Sequence, residues 1–399
     1  MKSIFRKIIT NYLFFSGLLA HLVVFGVLLT QPYLIAKVTK KISQEYYSWQ
    51  KSKDYKALTN GRMQSVADEI DSVLHAWKPQ PADQHLTQPF SVNGTEYSDL
   101  TSAVSALQHG DELLIAPGTY HTPLVITKHD ITITGLGHVI FQKGIAQGKG
   151  FILSKGNNLT VNNIECHSIS NRDGNGACIR QEGVNLTLKH IFFHGSQEGV
   201  LETAKQAGFI KIYQSRFERL GYNGQAHGIY SNKASVYIEE SVFVATKSQG
   251  HAIKVRGESL VVNASVIASL SADDSRLIDM PNGGELMVKN SLLAQGPNSV
   301  NGQVIGYGLE GISHLRNSIL MTDNVVYLER LGVNYLLALP KESQAIELTQ
   351  NKNIVIGKDS SSYVSDSNTY FNDRSELGLP AFPSLPNSFC EQWHYCPIK

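Results

Sequence analysis

The chain is short of charge. Only 17% of its 399 residues are Asp, Glu, Lys or Arg, and 35 basic against 34 acidic side chains leave a formal net charge of +1. No global field therefore draws nucleic acid or another polyanion to it, so any anion must be met by a local patch. Residues 131–328 lack the helical patterns of about 10–15 residues that separate the strands of α/β folds. That absence excludes a TIM barrel and a doubly wound sheet. A P-loop, a dinucleotide fingerprint, a nucleophile elbow and zinc-type spacing are also missing, which removes the chemistries those motifs carry. Cysteine is scarce, at four. Cys390 and Cys396 bracket a five-residue loop and suggest a disulfide in an exported domain. Cys166 and Cys178 fall at strand positions and read as buried free thiols.

What the chain does have is a repeat. The aliphatic anchors Ile152, Ile179, Val200, Ile229, Ile253, Ile278 and Ile305 lie 27, 21, 29, 24, 25 and 27 residues apart. A second strand-like set follows each anchor, as in Leu186-Thr187-Leu188 and Val236-Tyr237-Ile238. A period near 25 marks a solenoid rather than a propeller, whose blades need about 40–45 residues. An even coil period also argues against an antiparallel sandwich. Parallel strands joined by right-handed crossovers remain, so the expected fold is an all-β right-handed parallel β-helix. Stacking brings residues one coil apart to within roughly 4.8 Å.

Ile8 to Ala36 is largely apolar, and Tyr12 to Leu29 alone is about long enough to cross ~30 Å of hydrocarbon. Lys2, Arg6 and Lys7 precede it, as the positive-inside rule requires. The stretch exceeds a signal peptide's usual h-region. The expected organisation is a cytoplasmic tip and transmembrane anchor over 1–36 and a helical stalk and linker over 37–90. The β-helix with its N-terminal cap follows over 91–330, and an irregular capping segment over 331–399. Leu100 to Gln108 reads as the short amphipathic helix that covers the first coil.

Gly-Asp-Glu-Leu-Leu-Ile-Ala-Pro-Gly-Thr-Tyr (110–120) with Ile131-Thr132-Ile133-Thr134-Gly135 resembles the start of right-handed β-helices of the pectate-lyase-like superfamily. His227-Gly228-Ile229-Tyr230, His251-Ala252-Ile253-Lys254-Val255-Arg256 and Ile278-Asp279-Met280-Pro281-Asn282-Gly283-Gly284 resemble a subgroup found with bacterial exopolysaccharide systems. The coils from 227 to 258 are also similar to the catalytic coils of alginate C5-epimerases. Where those enzymes carry Asp-Pro-His-Asp, this chain reads Tyr230-Ser231-Asn232-Lys233. The resemblance implies a carbohydrate-active protein, and the apolar N-terminal stretch, its flanking charges and the cysteines add the expectation of an inner-membrane anchor with the main domain in the periplasm. An anionic polysaccharide would be its substrate, with exopolysaccharide synthesis or export proteins as possible neighbours and no nucleic acid.

Strand alternation fixes the outward rows. The residue after each anchor gives Leu153, Arg180, Leu201, Tyr230, Lys254, Asp279 and Gly306. Two residues further come Glu182, Thr203, Asn232, Arg256, Pro281 and Gly308. Chemistry-bearing side chains thus gather on three successive coils. Arg256 presents a planar fork suited to a carboxylate, and Tyr230 can stack on a sugar ring. Neutralising a uronate carboxylate acidifies the C5 proton, which a base then removes. Lys254 is the first candidate base. Arg256 beside it favours the neutral amine and Asp279 opposes that. His251 and His227 are the alternative bases, and Tyr230 is the candidate proton donor. Asn232, Asp279, Asn282, Arg180 and Arg276 are candidate substrate contacts.

Lyase and C5-epimerase chemistry need no cofactor here. Ca2+ held by Asp273, Asp274 and Asp279 is the metal-assisted variant, although no tight acidic cluster points to it. A glycoside hydrolase needs two carboxyls about 5–9.5 Å apart, and Asp279 is the only acid in the central rows. A non-catalytic polysaccharide-binding scaffold is the other alternative. In the bland reading Lys254–Asp279 is an ordinary cross-strand ion pair and His227 and His251 are a stacked ladder at a turn.

Overall fold

The computed structural model describes residues 64–340 and 346–385, with isolated positions between 12 and 61. The chain divides into two compact units, residues 1–61 and 62–399. In the first, described positions such as 14–18 are helical. No helix among the described residues is long and apolar enough to cross a membrane. Most of the expected anchor, and the expected Cys390–Cys396 pair, lie outside the described residues.

The second unit is a parallel β-solenoid. Its three sheets, here A, B and C, contain 12, 11 and 9 strands. One coil contributes one strand to each, for example Leu186–Lys189 to A, Phe192–His194 to B and Glu198–Glu202 to C. Sheet A opens with an antiparallel hairpin, Phe90–Val92 against Thr95–Tyr97; Phe90–Val92 also pairs antiparallel with Glu112–Ile115, and the strand pairings of the coils that follow are parallel. The anchors stack in register from Ile152↔Ile179 through Val200↔Ile229 and Ile229↔Ile253 to Ile278↔Ile305. Coiling does not stop at 330, where the sequence pattern blurs. Tyr335–Ala338, Glu347–Asn351, Ile354–Ile356 and Thr369–Phe371 extend the three sheets.

The turn from sheet A to sheet B explains the regular period. In eight coils a non-glycine residue takes a positive φ: Asn163, His190, Gln214, Glu240, Ala264, Asn290, Asp323 and Lys352 lie between 47° and 55°, and the last six precede a Ser or Asn. Such backbone is disfavoured for L-residues and needs compensation. The next residue supplies it as a buried ladder: the N–H of Ser215 donates to Ser241 Oγ, and the N–H of Ser241 to Ser265 Oγ. The N–H groups of Ser265 and Ser291 continue to Ser291 Oγ and Asn324 Oδ1. Asn324 and Asn353 extend the chain to Asn353 and Asn368. Inward aromatic side chains line up beside it: Phe193 and Phe217 meet edge to face with centroids 5.7 Å apart, and Phe217 and Phe243 stack at 4.5 Å.

Two helices finish the unit. α1 (Val66–Val73) starts at a Ser65/Asp68 capping box. Its Ile70 and Val73 share a buried apolar cluster with Val242, Val244, Val266 and Ala268 of sheet B, so this end of the expected stalk packs against the coils. Glu69 on the same helix accepts the N–H of Ser271 at 2.9 Å, and burial raises its carboxyl. α2 (Leu100–Ala106) buries Leu100, Ala103 and Leu107 with Leu113 and Ile115 of the first coil. It occupies the place expected of a cap.

One expectation is corrected here. Cys166 and Cys178 are not free thiols but a buried disulfide, 12 residues apart with Cα atoms 6.0 Å from each other. Cys166 lies in sheet B and Cys178 in sheet C, so strand-by-strand reading gave no reason to pair them. The cross-link ties two faces of one coil. Cys166→Ser with Cys178→Ser is expected to lose about 2–4 kcal/mol of stability, read as a lower denaturant midpoint under non-reducing conditions. A midpoint equal to that of the parent chain counts against a formed disulfide.

Candidate functional site

Sheet C arranges the loaded row as strand alternation requires. Leu201↔Tyr230, Tyr230↔Lys254, Lys254↔Asp279 and Asp279↔Gly306 are direct cross-strand partners. Gly306 is needed at its place because a Cβ there would stand 2.7 Å from Arg276 Cδ and 2.8 Å from Asp279 Oδ1. Arg256, just past its strand, keeps the ladder through its N–H to Ser231 O at 2.8 Å.

The side chains converge on two carboxylates. Asp279 is 2% exposed and receives Arg276 Nη1 at 3.2 Å, Lys254 Nζ at 3.5 Å and His251 Nε2 at 3.6 Å. Glu310 has a side chain 49% exposed and lies across both outer cations, 2.6 Å from Arg256 Nη2 and 3.5 Å from Lys254 Nζ. Arg256 is fully engaged: Nε donates to Tyr230 Oη at 3.0 Å and Nη1 to Asn282 Oδ1 at 2.7 Å. Lys254 Nζ also lies 5.6 Å from the Tyr230 ring centroid, at cation–π distance. Three cations, Lys254, Arg256 and Arg276, thus face two carboxylates. The cluster keeps one positive charge in excess. Burial would lift the Glu310 carboxyl, but the Arg256 hydrogen bond and the charges of Lys254 and Arg256 hold it below its ordinary value.

The two histidines do not suit the role of base. His227 Nδ1 accepts the N–H of His251 at 3.1 Å, and His251 Nδ1 accepts the N–H of Arg276 at 3.2 Å. The proton of each neutral ring therefore sits on Nε2, the outer nitrogen. Burial pushes His227 well below the usual imidazole range and His251 down to about 4. Both rings are neutral donors near pH 7. His109 and His129 repeat the motif elsewhere: rings stacked at 4.9 Å, and His109 Nδ1 accepting the N–H of His129. The ladder is thus a general device of this solenoid. At His227 and His251 it differs by being 1% and 7% exposed, and His251 faces Asp279.

Other expected contacts sort differently. Asn282 reaches Arg256, and Arg276 reaches Asp279. Arg180 stands behind Leu201 in the row and donates to Thr203 Oγ1 at 3.1 Å. Asn232 is a turn residue, its Nδ2 bound to Glu202 O at 2.7 Å. Asp274 does not overhang the groove. It is fully buried between Ser269 and Ser299, and burial lifts it to about 7. Asp273 accepts the N–H of Ser248 instead, so Asp273, Asp274 and Asp279 do not form a calcium site; the one metal-competent group among the described residues lies elsewhere.

Three groups escaped the row analysis. Glu310 lies in a loop folded back by Gly308 at φ 67° and Gly311 at φ 106°, a glycine spacing visible in the sequence. His314 Nε2 contacts Arg256 O at 3.0 Å. Glu202 faces inward and organises the turn beneath the site. Its Oε2 accepts the N–H groups of Asn232, Lys233 and Ala234 and lies 3.2 Å from Ser231 Oγ. A surface concavity of about 640 Å³ is lined by Thr187, Lys211, Tyr213 and Glu239. It lies on the outer face of sheet A, away from this cluster.

No family profile and no curated protein matches the chain. Among solved structures it is similar to the pectate lyase Pel9A, at 14% identity and a TM-score of 0.44 over 72% of this chain and 77% of that one. It is also similar to a PL6 alginate lyase in complex with a trisaccharide, at 12% identity and 0.30 over 68% and 84%. A mannuronic-acid-specific polysaccharide family 6 lyase from human gut microbiota gives 10% and 0.30 over 72% and 88%. At these identities the likeness is one of fold alone.

Proposed function

We propose that the sheet C groove binds an acidic polysaccharide through a uronate carboxylate and acts on it by β-elimination or C5 epimerisation. The observation that carries this reading is Glu310. A half-exposed carboxylate already lies across Arg256 and Lys254, which is the arrangement a substrate carboxylate would adopt after displacing it. Contact with Arg256 Nη2 on one oxygen and Lys254 Nζ on the other, as Glu310 makes now, neutralises that carboxylate, and the C5 proton then becomes acidic. Lys254 is the base: once its ammonium has given up its own proton, its Nζ takes the C5 proton. In elimination the electron pair moves into a C4–C5 double bond, the C4–O bond breaks, and Tyr230 Oη protonates the departing oxygen. In epimerisation Tyr230 returns a proton to the opposite face of C5. Displacing Glu310 removes one of the two anions beside Lys254.

Glycoside hydrolysis fits less well, although folding does supply a second acid. Asp279 Oδ2 and Glu310 Oε1 both lie 3.5 Å from Lys254 Nζ. A hydrolase needs one carboxyl still protonated near neutrality, whereas Glu310 is held low and Asp279 sits against two cations. A non-catalytic scaffold is favoured by one fact: every cation of the cluster is already paired.

A retained anchor would hold the solenoid on the periplasmic side of a bacterial inner membrane, beside exopolysaccharide synthesis or export proteins. Lys2, Arg6 and Lys7 ahead of the apolar stretch support that orientation. The Cys166–Cys178 disulfide supports an oxidising compartment. The test is a panel of uronate polymers incubated with the chain. Unsaturated product is read by ultraviolet absorbance, and C5 exchange by deuterium uptake from heavy water. Glu310→Ala should bind oligouronates about 3–10-fold more tightly, since it removes a competing carboxylate (about 1 kcal/mol). Binding without product or exchange selects the scaffold; no binding at all rejects the groove as a uronate site.

A further inference from the structure

A second constellation lies on sheet B, outside the groove. Glu165 and His167 belong to Glu165–His167, and His194 to the neighbouring strand Phe192–His194, with His167 and His194 directly paired. Cys166 between them points inward and is locked in the disulfide, so Glu165 and His167 share the outer face. Their ligand atoms and that of His194 all lie within 4.8 Å of one another. Glu165 Oε1 is 2.8 Å from His194 Nε2 and its Oε2 is 2.6 Å from His138 Nε2. The rings of His167 and His194 stack with centroids 4.7 Å apart. The side chains of Glu165 and His194 are only 13% and 17% exposed, against 50% for His138. Phe192, itself 4.2 Å from the His194 ring, stacks on Trp77 from the segment after α1.

We propose that Glu165, His167 and His194 bind a divalent transition-metal ion of the Zn2+ type, leaving one coordination position open to solvent. Two imidazoles and one carboxylate form a donor set that suits such ions, whereas Ca2+ and Mg2+ take oxygen ligands. Ligands at about 2.0–2.1 Å from a tetrahedral centre stand roughly 3.3 Å apart, so the three side chains need to move by about an ångström to close on the ion. The floor is held by paired strands and the disulfide, so that movement falls on the side chains. His138 and Ser168, whose Oγ lies 2.9 Å from His167 Nδ1, orient the ligands from behind. Such partners contribute about 10–100-fold to metal affinity.

The experiment uses the full chain, stripped with a chelator and dialysed, and titrates Zn2+ alone against a chromophoric competitor. The expected result is one Zn2+ per chain. Glu165→Ala and His194→Ala should each weaken binding by about 100-fold or more, and His138→Ala by about 10-fold. His109→Ala with His129→Ala, a stacked pair elsewhere on the solenoid, should leave it unchanged. Circular dichroism of each variant checks the fold. Co2+ in place of Zn2+ should give visible d–d bands without thiolate charge transfer. Absence of a stoichiometric site, survival of binding in Glu165→Ala/His194→Ala, or a thiolate band overturns the proposal.

Discussion

Arg256→Ala should lower turnover of a uronate polymer by about 10²–10³-fold, the loss typical when one preorganised donor to developing charge is removed. Lys254→Ala should cost about 10²–10⁴-fold, as loss of a general base does. The two variants differ in their rescue. Lys254→Arg keeps the cation and stays inactive if Lys254 moves the proton. It recovers if Lys254 only supplies charge. Arg256→Lys keeps the charge and loses the fork, so it should recover substrate binding poorly. Arg276, 3.2 Å from Asp279 in the parent chain, is untouched by any of these substitutions, which limits the destabilisation from an unpaired buried carboxylate. Thermal midpoints measured alongside separate a lost function from a lost fold. Turnover within threefold of the parent chain for both alanine variants is incompatible with the proposed roles.

The second large effect concerns Glu202, which touches no substrate in this account. Glu202→Ala leaves the N–H groups of Asn232, Lys233, Ala234 and Ala204 without their acceptor, while the Ser231 hydroxyl keeps Ala234 O. Each buried donor left unpaired costs about 1–3 kcal/mol. With some rehydration of the turn, a total loss of about 4 kcal/mol is expected, large enough to stand out among point mutants. Glu202→Gln keeps one acceptor oxygen but turns an NH2 toward a donor, for a loss of about 2 kcal/mol. Chemical denaturation of both variants checks the order. A Glu202→Ala loss below 1 kcal/mol contradicts the picture of a carboxylate holding the turn that leads into Asn232.

Coil register was legible because one period of side-chain alternation fixes it. Anchors such as Ile229 and Ile253 name their own neighbours, so Tyr230, Lys254 and Asp279 could be placed in one row from spacing alone. What lay off the ladder was not legible. Glu310 enters from a loop, and where a loop folds back depends on glycine torsions rather than on strand period. Glu202 points inward on the same strands and was lost among core positions. Cys166 and Cys178 occupy different sheets, and only the closed coil brings them together. The histidines were visible as a pair, yet their tautomer depends on backbone N–H groups one coil away. Glu165, His167 and His194 show no metal-type spacing along the chain, because their neighbourhood runs across it, one coil of 27 residues apart.

The central claim is that Arg256 and Lys254 recognise a carboxylate in the place that Glu310 fills. The most direct measurement compares binding of a uronate oligomer with that of the same oligomer after its carboxylates are reduced to alcohols. Saturable binding of the acid form is expected, weakened at least about tenfold by Arg256→Ala, with no measurable binding of the reduced form. Equal affinity for the two forms, or acid-form binding untouched by Arg256→Ala, would contradict it.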